Sequence, residues 1–307
     1  MVERDMYFAD EKARKRYQIT NVITKILLYA FLTIMAIFML IPFYWMINTS
    51  LKSRATMLEE NSRGMPYFFA PNPTLENFKI ILIGSSGRSS EFLQYFLNTL
   101  IVGICSTIIT VVTTVLAAFA FARLEFKLKE PIFMVLLATM MIPGEMMVIT
   151  NFQTIMALNW DNKYVALILT HAISVFYIFY MRQTFQQIPN ELYLAAKVDG
   201  YGDFKYLWKV MIPIAMPTIV TIIILSVMGS WNAYIWPNLV ASGKHPWFGN
   251  SMKLVSNGLM ATFSSEFSSQ DEVMLAGSFV VTLPLFIFFL CFRKYIMRGV
   301  SRSGIKG

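Results

Sequence analysis

Residues 188–213, "IPNELYLAAKVDGYGDFKYLWKVMIP", place six charged side chains, Glu191, Lys197, Asp199, Asp203, Lys205 and Lys209, between two long apolar runs. The surroundings make this stretch anomalous. Of the 307 residues, 56% are hydrophobic and 14% charged, against about 25% charged in a soluble domain, so the bilayer is the expected solvent. Six stretches offer the roughly 20 mostly apolar residues needed to cross a hydrocarbon core about 30 Å thick. They lie near 24–49, 94–121, 131–152, 164–181, 213–236 and 273–292. The first is long and lacks a small-residue cleavage site after it, which reads as a retained anchor rather than a cleaved signal.

The expected fold is therefore an all-α integral membrane protein with six transmembrane helices. An even number of crossings puts both termini on one side, and Lys and Arg accumulate in cytoplasmic segments. With the N-terminus through Lys25, 123–130, 182–212 and the C-terminal segment inside, 18 of the 26 basic residues are cytoplasmic. That bias accounts for the net charge of +8 without nucleic acid, which would want a clustered basic face. The expected organisation is a cytoplasmic arm (1–23), a transmembrane domain (24–295) with outside loops at 50–92 and 237–272, and a cytoplasmic tail (296–307). No repeat of fixed period or second domain is visible. Cys105 and Cys291 fall at different depths and read as packing residues rather than a disulfide.

The insert 188–213 is then the one large cytoplasmic feature. Pro189 ends the incoming helix, Asn190 offers a cap, and Glu191 stands where a negative charge favours the helix dipole, predicting a short helix over 191–198. Asp199-Gly200 is a turn signal, and Gly202-Asp203 starts a second helix in which Phe204, Leu207 and Trp208 share a face by i, i+3, i+4 spacing. Ala195 and Ala196 beside Gly200 leave the backbone close to the surface. A rigid, small-surfaced helix–turn–helix facing the cytoplasm suits docking by another protein; the blander reading is an amphipathic helix lying at the interface.

These residues resemble the signature loop of ABC importer permeases, in which Glu-Ala-Ala is followed after three residues by Gly. "LAAKVDG" stands in that place, with Ala195, Ala196, Asp199 and Gly200 matching, and Pro213 and Pro217 match the prolines opening the family's next span. The similarity extends in order through "SLK" (50–52), "NPTLENF" (72–78), "NTLIV" (98–102), "AAFAFARLEF" (117–126), "RQTFQQIPNEL" (182–192), "WN" (231–232) and the terminal "GIKG" (304–307). It is greatest to the carbohydrate, maltose-type (MalG-like) branch. One position departs: Leu194 stands where the motif has Glu.

The resemblance implies a type I importer assembled from this permease, a second permease, two ATP-binding-cassette ATPases and an external sugar-binding protein in a bacterial inner membrane. It implies that Glu191, Ala195, Ala196, Asp199, Gly200, Tyr201 and Phe204 couple to an ATPase groove. Likewise, the 237–272 loop would reach the binding protein, and the tail with Gly304, Lys306 and Gly307 would lie along the ATPases. ATP and magnesium are used by those partners, and this chain carries no cofactor or catalytic residue. Independently, the sequence has no G-x-x-x-x-G-K-[ST] phosphate loop, so energy must come from another chain.

Within the spans, Glu145 follows the helix-breaking Pro143-Gly144 and is a candidate pathway residue, because a mid-membrane carboxylate needs protein or water around it; the alternative is a structural partner of the broken helix. Trp231, Asn232 and Trp236, near the outer end of the fifth span, fit either an interfacial aromatic belt or a sugar-lined pathway. His171 has no second His or carboxylate at helical spacing, which reads as a packed, hydrogen-bonded histidine rather than a metal or proton site. The 21 methionines read as adaptable packing. The competing function is a self-sufficient secondary transporter, which predicts internal repeats and matched broken helices.

Overall fold

The computed structural model describes residues 11–85, 88–89, 91–265 and 270–301. Helix α1 (Glu11–Ser50) is the first apolar run, continuous through Pro42. The segment 50–92, expected as an outside loop, contains two helices. Helix α2 (Arg54–Arg63) starts where the Ser53 hydroxyl accepts the Thr56 N–H at 3.2 Å and stops at Gly64, a left-handed position that suits glycine. Helix α3 (Glu76–Ile83) leads into a two-residue antiparallel pair, Gly84–Ser85 with Arg88–Ser89, the only strands among the described residues.

Then come α4 (Phe92–Arg123), α5 (Lys129–Thr139), a 3-10 turn at Gly144–Met147, α6 (Val148–Ala157), α7 (Tyr164–Leu169) and α8 (Val175–Gln186). Helices α9 (Asn190–Val198) and α10 (Asp203–Tyr206) form the insert. A π-helical turn, Leu207–Met211, joins α10 to α11 (Ile212–Asn232), followed by α12 (Ile235–Val240), α13 (Val255–Ser265) and α14 (Asp271–Ser301).

Among the described residues four helices are long and apolar enough to cross a membrane: α1, α4, the continuous helix Asp203–Asn232 and α14. Helices α5 and α6 meet at 84° across the Pro143-Gly144 break and supply a fifth crossing if counted together. The run 164–181, expected as one span, is instead α7 and α8 separated by Thr170–Ser174. The 12 residues of α8 reach only about 18 Å at 1.5 Å each. The break is supported by hydroxyls. Thr113 of α4 donates to Ala172 O at 3.0 Å, Thr110 to His171 O at 3.4 Å and Thr170 to Ala166 O at 2.7 Å, while Ser174 accepts the Tyr177 N–H. Non-helical backbone at membrane depth survives where neighbours satisfy it in this way.

Helix α4 is the hub, packing against α8 and α11, while α1 packs along α14. Hydroxyl pairs stitch the hub: Thr107 to Ser226 at 3.1 Å and Thr184 to Thr218 at 3.2 Å. Small polar contacts of this kind replace the hydrophobic driving force that lipid removes. The most apolar window of α1 is entirely unburied, leaving it for lipid or a partner.

The start of α4 is fixed by Asn98. Its amide donates to Ser251 O at 2.7 Å and Lys253 O at 2.9 Å, and its carbonyl accepts Gln94 Nε2 at 2.8 Å and the Tyr164 hydroxyl at 2.7 Å. Next to it, Thr99 Oγ1 accepts the Val255 N–H at 2.9 Å. Every polar valence of this fully buried amide is used, and the 237–272 segment is thereby tied to the start of α4. The apolar patch Leu254 to Phe263 within it is α13, with Leu254, Leu259 and Phe263 buried.

Candidate functional site

Within the insert, α9 begins at Asn190 with Pro189, extended, as the flanking residue. The expected Asn190 cap is not formed; Asn190 is the first helical residue. The helix ends in a Schellman motif: Gly200 N–H donates to Lys197 O at 3.0 Å and Tyr201 N–H to Ala196 O at 2.8 Å, with Gly200 at φ +75. That geometry needs the left-handed conformation glycine adopts without strain.

Two contacts staple α9 to α10 across the turn. Lys197 Nζ lies 2.6 Å from Asp203 Oδ1, and the Tyr193 hydroxyl donates to the same oxygen at 2.6 Å. The hydrogen bond to Asp203 raises both the Lys197 and the Tyr193 pKa above their ordinary values. Lys205 Nζ sits 3.9 Å from the Tyr201 ring centroid, a cation–π contact.

The knob has an inward and an outward side. Ala196 is turned inward with Tyr206, Leu207 and Met211 onto Phe185 and Met181 of α8 and Phe119 of α4. Glu191, Ala195, Asp199, Gly200 and Phe204 are exposed, and Tyr201 is half-buried. Leu207 does not share the exposed face of Phe204 and Trp208: on a helix, i+3 and i+4 lie on opposite flanks of i, and the boundary of burial runs between them. The outward face also carries Leu194 and Val198, the latter 88% exposed. Leu194, Val198, Phe204 and Trp208 are thus exposed apolar side chains standing beside the charges of Glu191 and Asp199.

The root of the knob is clasped by two arginines. Arg123, at the end of α4, donates to Phe185 O at 2.9 Å and to Ile188 O. Arg182, on α8, donates to Phe121 O at 3.1 Å and to Glu130 Oε1 at 2.6 Å, its guanidinium 4.0 Å from the Phe133 ring centroid. Sequence reading missed both, counting them only among the basic residues of two separate inside segments, 123–130 and 182–212.

Deeper in the membrane lies an open cleft of about 750 Å³ between α4, α11, α12 and the breaks in the α5–α6 and α7–α8 pairs. Glu145 and Asn232 line it, as does Trp236. Trp231 does not: it is buried, its indole donating to Val281 O at 3.2 Å and packing edge-on against Phe96. His171 lines the cleft and packs edge-on against Trp236, with the residue as a whole open to the cleft. Both cysteines are free, Cys291 at the exposed surface and Cys105 half-buried. Gly304, Lys306 and Gly307 lie outside the described residues.

The family model for the binding-protein-dependent transport system inner membrane component matches residues 110–302, more than half of the chain. The chain belongs to this family. Curated relatives of this permease include the arabinooligosaccharides transport system permease protein AraQ of Halalkalibacterium halodurans, 29% identical over 280 residues, covering 91% of this chain and 94% of that protein. The lactose transport system permease protein LacG of Rhizobium radiobacter is 26% identical over 275 residues, covering 90% and 94% respectively. The fold matches a crystal structure of a bacterial ABC transporter involved in import of the acidic polysaccharide alginate, with TM-score 0.74, 22% identity and coverage of 94% of this chain and 99% of that chain. The permease is thus an inner-membrane component of ABC importers, with its inner knob on α9–α10 and its cleft inside the matched region apart from part of α4.

Proposed function

We propose that this permease forms, with a second permease, the alternating-access pathway of an ATP-driven importer for a carbohydrate. The chain crosses the membrane six times with both termini cytoplasmic, the bent pair α5–α6 and the broken pair α7–α8 each serving as one crossing. Two ATPase subunits bind ATP and magnesium and dock on the outward face of α9–α10. An external sugar-binding protein delivers substrate to the outer loops. The relatives named for arabinooligosaccharides and lactose support the carbohydrate class.

The observation that carries the coupling assignment is the exposed apolar face Leu194–Val198–Phe204–Trp208 on a knob rooted in the core. Leu194 in place of the motif glutamate makes that face more apolar, so docking here relies on shape and burial more than on charge. When the ATPases close, displacement of α9 passes through the arginine clasp to α4, α5 and α8, and the cleft opens outward. Their reset returns it inward.

Mild solubilisation from the native membrane followed by mass spectrometry tests the assembly. Recovery with an ATPase and a second multi-span permease is expected. Recovery of the chain alone across several mild detergents would favour a self-sufficient transporter, the reading towards which the broken helix at Glu145 points.

A further inference from the structure

The walls of the cleft differ in chemistry from its membrane surroundings. Rings of Phe176, Tyr177, Tyr234 and Trp236 face it, together with the hydroxyls of Ser106, Thr110, Ser226 and Ser230 and the amide of Asn232. Ring faces suit the C–H faces of a sugar, and the hydroxyls and amide suit its OH groups. A cavity of about 750 Å³ is within the range of small-ligand sites, roughly 300–1,000 Å³. Among the described lining residues one side chain is a carboxylate, Glu145, and none is Lys or Arg. The only basic ring is His171, seated edge-on against Trp236.

We infer that this cleft passes neutral carbohydrates and rejects uronates and sugar phosphates, with Glu145 as the specificity-determining residue; the inference rests on the cleft being this chain's wall of the pathway. An anionic sugar entering here gives up hydration and meets a like charge with no counter-cation. In a partly desolvated site that combination is repulsive by more than in water. Carboxylate or phosphate recognition calls for the fork of an arginine or the point charge of a lysine. Rejection by an opposing charge is the usual way to exclude a close analogue. The second permease supplies the facing wall, so the test belongs in the assembled complex.

The experiment needs no knowledge of the native sugar. In the reconstituted importer with Cys105→Ala and Cys291→Ser, the variant Ser230→Cys places a thiol in the cleft and, separately, Ser62→Cys gives an exposed control on α2. Each is treated with a cationic (trimethylammonium-ethyl) and an anionic (sulfonatoethyl) methanethiosulfonate. The cysteine sulfur attacks the reagent's sulfenyl sulfur, forming a disulfide and releasing methanesulfinate.

At Ser230→Cys the cationic-to-anionic rate ratio is expected to exceed that of a small free thiol by at least about ten-fold. Adding Glu145→Gln should abolish the excess and Glu145→Lys should invert it. A free-thiol ratio that Glu145→Gln leaves unchanged overturns the charge selection while the pathway reading stands. Failure of both reagents at Ser230→Cys, with normal reaction at Ser62→Cys, means a cleft closed to water and overturns the pathway reading along with the inference.

Discussion

Arg123 Nη2 lies 2.9 Å from the carbonyl oxygen of Phe185, joining the last turn of α4 to the last turn of α8 two residues before the bend into α9. Arg182 returns the contact from α8 to Phe121 O and on to Glu130 of α5. A push on α9 therefore meets two charged clasps rather than a loose loop. Hydrogen bonds from charged donors contribute about 1.5–3 kcal/mol each, so the two arginines tie the ends of α4, α5 and α8 together at the root of α9.

From this clasp follows a coupling prediction. Arg123→Met should lower substrate moved per ATP hydrolysed by roughly ten-fold, the loss of about 1.4 kcal/mol of coupling between α8 and α4, while ATPase subunits still co-purify. Arg123→Lys, which keeps the charge and part of the hydrogen bonding, should recover much of the ratio. A purely structural role would lower the amount of complex and leave the ratio of surviving complexes unchanged, so the measurement is paired uptake and hydrolysis in proteoliposomes.

Gly200 has φ +75 and no atom of its own chain within 4 Å of an added Cβ. Gly200→Ala then carries only the left-handed backbone penalty of about 1–2 kcal/mol and should fray the end of α9 mildly. Gly200→Asn, better tolerated in that conformation, should behave nearly as the native chain. Gly200→Trp carries the same backbone penalty and adds bulk, so a loss of ATPase co-purification in Gly200→Trp but not in Gly200→Ala, with normal insertion of both, locates the clash in the partner. Full uptake in Gly200→Trp would remove the docking assignment.

The turn that ends α9 was legible because Asp199-Gly200 and Ala195-Ala196 act locally: a Schellman ending is decided within six residues. The bend at Pro143-Gly144 was legible for the same reason. The break at Thr170–Ser174 was not, since the run 164–181 is apolar enough for one helix and its opening depends on Thr110 and Thr113, some 60 positions away. Asn98 was quoted only as part of a motif, because its partners at Ser251 and Lys253 are about 150 residues distant. Trp231 and Trp236 looked equivalent; the extended backbone at Ala233, which ends α11 between them, turns one into the core and the other onto the cleft.

At the outer end of α1, Lys52 Nζ is 2.6 Å from Glu60 Oε1, with both side chains buried, and 5.0 Å from the Trp45 ring centroid. Glu60 Oε1 also accepts the Tyr67 N–H at 2.7 Å. Removing one partner leaves an uncompensated buried charge, about 3–5 kcal/mol. Lys52→Met and Glu60→Leu should each lower the thermal unfolding midpoint of the purified permease markedly, and the double variant should regain most of the loss. A double variant as unstable as the worse single one would mean that the pair itself, not the avoidance of a lone charge, holds the loop.

The Lys197–Asp203 staple yields the opposite expectation, a weak and pH-independent effect. Both side chains are about two-fifths exposed, where ion pairs contribute little, and the Tyr193 hydroxyl holds Asp203 independently. Because the hydrogen bond that Lys197 donates to Asp203 raises the Lys197 pKa above its ordinary value, its contribution is complete below that ordinary value and is lost only as pH rises through the raised one. Lys197→Met should therefore reduce uptake by less than about three-fold, and by the same factor at pH 6 and pH 9. Lys197→Glu opposes two carboxylates across the turn and should cost more, with Asp203→Lys restoring it by reversing the pair. A Lys197→Met defect that grows between pH 6 and 9 would assign the titrating group elsewhere and remove the staple as the element that holds α9 against α10.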